Sequence, residues 1–220
     1  MINIEEHKEN LNQAGEDMFK LCKKQVSYAY DSFVNFDSDL AEEVILKENR
    51  VNALDLKIEK DTDKFIALYS PVATDLRFAL ALLKINYNLE RIGDQAFDIA
   101  NHTEDLSVKI SDDLLKTFQF KLMFETLIGM FKDVENAFGD ENIKTARKVF
   151  KKDKIINKIN TQAFDVVAKN VINQPELVTQ YLLILLVMKK FEKIGDLVKN
   201  IAENIIYHVD AKILKHKTKK

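Results

Sequence analysis

Apolar residues recur through the first part of the chain in steps of three and four, at Leu11, Ala14, Met18, Cys22, Val26, Ala29 and Phe33. That period keeps one face of an α-helix apolar and predicts a first helix from about Asn3 to Phe36. Asp37-Ser38-Asp39 ends it, and Asp39 with Glu42 three residues on has the form of a capping box. A second helix then runs to about Tyr69. It carries Val44, Val51, Ile58 and Phe65 at seven-residue spacing, with Leu40, Leu54 and Leu68 beside them, which is the seam of a helical bundle. Ser70-Pro71 reads as a cap followed by proline at the first helical position, opening a third helix to about His102.

After a polar connection from Thr103 to Ile110, Ser111-Asp112-Asp113 caps a fourth helix. Its Leu114, Phe118, Leu122, Leu127, Phe131, Val134 and Phe138 face inward until Gly139 stops it. A fifth helix covers about Asn142 to Val171, and Asn173-Gln174-Pro175 starts a sixth that reaches about Leu214. The tail from Lys215 to Lys220 reads as frayed and solvated. The expected fold is therefore all-α, with six long antiparallel helices in two tandem three-helix bundles, residues 1–106 and 107–220.

A twelve-residue stretch used twice supports the duplication. Glu-Arg-Ile-Gly-Asp-Gln-Ala-Phe-Asp-Ile-Ala-Asn at 90–101 and Glu-Lys-Ile-Gly-Asp-Leu-Val-Lys-Asn-Ile-Ala-Glu at 192–203 agree at six positions, at an offset of 102. Gly93 and Gly195 recur in the middle of both copies, where each costs about 1 kcal/mol of helix propensity relative to alanine. Another backbone coming close at each glycine would explain them.

Each copy carries a ladder of oxygen-bearing side chains four residues apart: Glu90, Asp94 and Asp98, then Glu192, Asp196 and Asn200. Alone, such a ladder describes a solvated face. Here Leu76, Leu80, Leu83 and Tyr87 lead into the first ladder on the same face, and Tyr181 to Met188 leads into the second. Both helices thus read as buried, and carboxylates near a core must be neutralised, paired or metal-bound. A second repeated pattern lies on the preceding helices, Glu48, Asn52 and Asp55 against Asp153, Asn157 and Asn160. It borders the packed seam, so two antiparallel helices can aim oxygens at each other in each half.

Clustered carboxylates and amides without nearby cysteine are hard ligands, suited to Mg, Mn, Ca or Fe, with Zn reachable through carboxylates. No histidine follows a glutamate by three, so the diiron-oxygenase signature is missing. There is also no Gly-rich phosphate loop and no Gly-x-Ser-x-Gly elbow, so no enzyme activity is expected. His102 reads as a helix-end histidine, and Asp75 with Arg77 as a cap and an ion pair.

Composition narrows the class further. At 46% hydrophobic and 31% charged residues the chain matches an ordinary soluble globular protein, and five glycines with two prolines are too few for a sandwich or barrel. A net charge of -2 argues against nucleic-acid binding. The one cysteine, Cys22, cannot form an internal disulfide and reads as a small reduced core residue, which favours a cytoplasmic location. The N-terminus lacks a signal-peptide profile, and no apolar run approaches the roughly 18 residues of a membrane span. Any membrane contact is expected through partners, without direct insertion.

Pro71-Val-Ala-Thr-Asp-Leu-Arg77, Leu89-Glu-Arg-Ile-Gly-Asp94, Phe191-Glu-Lys-Ile-Gly-Asp196 and Asn200-Ile-Ala-Glu203 together resemble the PhoU family of phosphate-uptake regulators. The resemblance covers nearly the whole chain. It implies two three-helix bundles and a cytoplasmic accessory protein of the phosphate ABC transporter, acting with that transporter's ATPase subunit and a membrane sensor histidine kinase. It implies negative regulation of the phosphate-starvation response, and a homodimer, which is common in the family. It also implies divalent or trivalent metal ions (Fe, Mn, Mg or Zn) held by carboxylates. Carried over, the ligands are Glu90, Asp94 and Asp98 with Glu48 and Asp55 in the first half, and Glu192, Asp196 and Asn200 with Asp153 and Asn157 in the second. The second half departs from the family pattern, reading Pro175-Glu-Leu-Val-Thr-Gln180, with amides at Asn160 and Asn200, and is expected to hold metal less tightly. The alternatives are an accessory of another phosphate transporter or stress pathway, a carboxylate-metal enzyme, and a purely structural scaffold.

Overall fold

The computed structural model describes residues 4–211, and among these the backbone forms eight α-helices and one 3-10 turn, with no strand. The first half is three helices of 32 residues each: α1 (Ile4–Asn35), α2 (Ser38–Tyr69) and α3 (Ala73–Glu104). The connections, residues 36–37 and 70–72, are too short for anything but an up-down-up course. The seven-residue seam on α2 is where the periodicity placed it: Val44, Val51, Ile58 and Phe65 are all fully buried, each contributing about 1.5–3 kcal/mol by leaving water. Leu68, placed beside that seam by the sequence, is exposed at the last turn.

Two caps differ from expectation. Asp37, rather than Asp39, begins α2, its side chain accepting the Leu40 backbone N–H at 2.9 Å. Ser70 closes α2 in the left-handed region (φ 44°) instead of opening α3, which starts after Val72 without a side-chain cap.

The second half keeps the three-helix plan but interrupts two of its helices. α4 (Asp112–Thr117), capped by Ser111 as expected, stops where Gln119 turns left-handed (φ 53°), and α5 (Phe120–Gly139) restarts beyond it. The restart resets the phase, so Phe120, Met123 and Leu127 point inward while Leu122, expected inside, is 47% exposed. α6 (Ile143–Ala146) and α7 (Val149–Asn170) are separated by a tightened turn in which the Lys148 N–H donates to the Thr145 carbonyl. A 3-10 turn, Pro175–Leu177, leads into α8 (Val178–Asp210). The expected start at Asn3, the extension to Leu214 and the Lys215–Lys220 tail lie outside the described residues.

α3 and α8, the two ladder-bearing helices, pack on each other at the centre, each flanked by the other helices of its own half. Tyr30 of α1 stacks on Phe124 of α5 with ring centroids 3.7 Å apart, and Phe19 lies 5.3 Å from Phe138. The Arg77 Nε donates to the His208 carbonyl at 3.3 Å, and Lys23 pairs with Glu135 across the same junction. One continuous apolar core results, spanning both halves. No helix among the described residues is long and apolar enough to cross a membrane.

Candidate functional site

In the first half the candidate oxygens come from α2 and α3, which the short 70–72 connection holds antiparallel. Glu48 is only 9% exposed, lying next to the seam residue Val51. The Gln25 amide on α1 donates to its Oε2 at 3.4 Å. A Cβ at Gly93 would meet Val51 Cγ1 at 3.0 Å, Glu48 Oε2 at 3.2 Å and Gln25 Oε1 at 3.4 Å. The missing side chain is therefore what lets Glu48 and Gln25 lie against α3. Farther along, the Asn86 amide donates to Asp55 Oδ1 at 2.6 Å and to the Asp55 carbonyl at 3.1 Å. Cys22, buried beneath, donates to the Leu89 carbonyl at 3.2 Å.

The candidate acids Glu48, Asp55, Glu90, Asp94 and Asp98 lie in a shared negative field. Burial, then Asp94, pushes the Glu48 carboxyl up to about 7, with Glu90 and Asp98 adding and the Gln25 hydrogen bond opposing. Burial raises Glu90 too, reinforced by Asp94 and Asp55, and raises Asp94, reinforced by Asp98, with Arg91 opposing both. Asp55 is raised by burial and Glu59, and the Cys22 thiol by burial and then by Glu48, Glu90 and Asp55. Among the described residues, Asp98 alone of these acids has a close ammonium, Lys190 of α8 at 2.6 Å. Glu48 Oε1, Gln25 Oε1 and Asn86 Oδ1 are buried acceptors that receive no hydrogen bond. Buried oxygens left without donors in a negative field are the donor chemistry of a hard cation.

The second half repeats the scaffold with different contents. A Cβ at Gly195 would meet Ile156 Cδ1 at 3.3 Å and Met130 Cε at 3.9 Å, so Met130 stands where Gln25 stands in the first half. Asp153, the counterpart of Glu48, is 7% exposed, and its Oδ2 receives the Asn157 amide at 3.4 Å and Lys199 Nζ at 3.3 Å. Lys199 also reaches Asp196 Oδ1 at 2.8 Å. Burial would lower the Lys199 ammonium, but the Asp196 hydrogen bond and the Asp153 charge raise it above its ordinary value. Asp153 Oδ1, Asn157 Oδ1 and Asn160 Oδ1 are again buried acceptors without a donor. Glu192 pairs with Lys189 at 3.6 Å, and Asn200 uses its carbonyl to accept the Asn204 amide.

The structure brings only part of the sequence-predicted set together in each half. In the first, Glu48, Glu90, Asp94 and Asp98 share one field, with Asp55 beside Glu90. In the second, Asp153, Asn157 and Asp196 are linked, Glu192 being drawn off to Lys189. The ladder runs along the rim of the helix packing rather than beneath it: Tyr87, expected on a buried face, is 59% exposed, and Asp94 is exposed as well. Among the described residues, no three His, Cys, Asp or Glu side chains are already converged to hold a metal ion. Sequence reading missed Gln25, Asn86, Lys190 and Lys199. The signal for Lys199 was present, since it replaces Phe97 in the repeated twelve-residue stretch.

Comparison with known proteins follows the same two-part division. The family model described as the PhoU domain matches residues 16–103 and again 120–205. The phosphate-specific transport system accessory protein PhoU homolog 1 of Thermotoga maritima is 28% identical over 199 residues, 90% of this chain and 85% of its own length. A phosphate-specific transport system accessory protein PhoU homolog of Caulobacter vibrioides is 30% identical over 189 residues, 86% of this chain and 82% of its own. Among solved structures, that of PhoU from Pseudomonas aeruginosa superimposes with a TM-score of 0.88 at 24% identity, covering 96% of this chain and all of that one. The phosphate transport system regulatory protein PhoU from Streptococcus pneumoniae gives 0.84 at 21% identity, covering 97% of this chain and 100% of that one. Both likenesses concern the fold.

Proposed function

This chain belongs to the PhoU family, and from that premise we propose that it is a non-enzymatic accessory protein of phosphate uptake. In this reading it acts in the cytoplasm with the ATPase subunit of a phosphate ABC transporter and with a sensor histidine kinase, as a negative regulator of the phosphate-starvation response. The observation that carries it is the match of both halves to the family, joined by relatives named as accessory proteins of phosphate-specific transport along most of their lengths. The absence of a nucleophile–base pair from the sequence motifs fits a binding role. Self-association into a homodimer belongs to the same proposal.

The first-half carboxylates add a cation to this reading. Glu48, Glu90 and Asp94, with Asp55 beside them, would hold a divalent or trivalent metal ion, which supplies positive charge beyond that of Arg91 on α3. The orphaned Glu48 Oε1 and the mutual repulsion of the acids support it. The residues of the chain then hold the two helices together and set the charge of the outer rim, which is what a partner would read.

Deletion of the gene in a strain carrying a phosphate-starvation reporter tests the regulatory role. Constitutive reporter expression in phosphate-rich medium is expected; unchanged repression would remove the proposal. Affinity capture from the same strain distinguishes the phosphate ABC transporter from another phosphate transporter as the partner.

A further inference from the structure

The two halves differ in charge within the twelve-residue stretch that they share. Four residues past the repeated glycine, the first half has Phe97 and the second has Lys199. The ammonium of Lys199 sits between α7 and α8, 3.3 Å from the buried Asp153 and 2.8 Å from Asp196. These are the counterparts of Glu48, where only the neutral Gln25 amide opposes the raised carboxyl, and of Asp94, where the Arg91 guanidinium does. The surrounding charge differs in the same sense. Five acids (Glu48, Asp55, Glu90, Asp94, Asp98) become three (Asp153, Glu192, Asp196), with amides at Asn160 and Asn200.

We propose that Lys199 is the resident cation of the second carboxylate set, occupying the place of a metal ion, so that this chain binds metal through its first half alone. The inference rests on the first-half cation site proposed above. A lysine side chain delivers one positive charge to two carboxylates from a fixed tether, and needs no metal supply. It leaves the second half closed and constitutively neutralised, while the first half changes charge with metal availability. The ammonium is held by Asp153 Oδ2 and Asp196 Oδ1, while Asp153 Oδ1, Asn157 Oδ1 and Asn160 Oδ1 remain buried acceptors without a donor.

The test is Mn2+ content after equilibrium dialysis of the full chain, read by elemental analysis, together with the thermal midpoint with and without Mn2+. The wild type should bind Mn2+ in a manner lost in Glu48→Gln/Asp94→Asn and unaffected by Asp153→Asn. Lys199→Met should bind at least one further equivalent per chain, lost again in Lys199→Met/Asp153→Asn. Its midpoint should fall in chelator and recover with Mn2+. Lys199→Arg, which keeps the charge, should behave as wild type and guards against a simple folding defect. If Asp153→Asn lowers the wild-type Mn2+ content, or Lys199→Met gains none, the inference is overturned while first-half binding can still stand. If the wild type binds none but Lys199→Met gains an Asp153-dependent site, the first-half reading falls and the role of Lys199 survives.

Discussion

Glu48 Oε2 lies 3.2 Å from the point where a β-carbon on Gly93 would sit, so the carboxylate of one helix occupies the space that the other helix leaves by having no side chain. This contact ties the repeated glycine to the acid cluster. It explains why helix propensity is given up in the middle of α3.

The same geometry separates the two glycines. Gly93→Ala gains about 1 kcal/mol of helix propensity but presses on the buried Val51 and on Glu48, and overpacking of this kind costs about 1–3 kcal/mol. A net loss of about 1 kcal/mol is expected in urea unfolding, with weakened cation binding. Gly195→Ala meets only the end of Ile156 and Met130 and should be neutral or stabilising by up to about 1 kcal/mol. Equal effects at both positions would contradict the proposed role of Gly93.

Glu48 makes stability depend on pH. Its carboxyl titrates near 7 in the fold and near 4.5 when unfolded, so between those values the native state holds the extra proton. Stability in chelator should therefore fall as pH rises from 5 to 8, by up to about 3 kcal/mol from this group. The raised carboxyls of Asp55, Glu90 and Asp94 act in the same direction. Glu48→Gln should flatten the profile and be the more stable protein at pH 8, as measured by denaturation at each pH.

Placing an ammonium where Phe97 stands gives the mirror of the Lys199 experiment. Phe97→Lys should reduce Mn2+ binding at least tenfold, as judged by titration, while retaining the helical circular dichroism spectrum. Unaltered affinity would mean that position 97 does not face the acids of its own half.

Tyr30 anchors the junction between halves through its stack on Phe124 and its contacts with Phe120 and Phe191. Tyr30→Ala should cost about 3 kcal/mol in a single cooperative transition, and Tyr30→Phe little. Two separated transitions for the wild type would contradict a core shared by α1–α3 and α4–α8.

The architecture was largely legible because its signals are local. A seven-residue seam from Val44 to Phe65 is set by helical period alone and is buried as expected, whereas the duplicated ladder, expected to continue a buried face, lies along the rim. The break at Gln119 was not legible, since nothing in Phe118-Gln119-Phe120 is a helix breaker; packing of Phe118 and Phe120 into one core forces the turn. In the site, the positions of the acids followed from spacing, whereas their neutralisation did not. Lys190 reaches Asp98 from 92 residues away, and Gln25 reaches Glu48 from a third helix. Such long-range pairings depend on how helices are arranged, which periodicity does not encode.

The central claim, that the first-half acids form a cation site, is most directly tested by calorimetric titration of chelator-stripped protein with Mn2+ at pH 7.5. Saturable binding at micromolar concentrations, abolished in Glu48→Gln/Asp94→Asn, is the predicted result. Absence of binding by the wild type, or binding indifferent to those two substitutions, would contradict it.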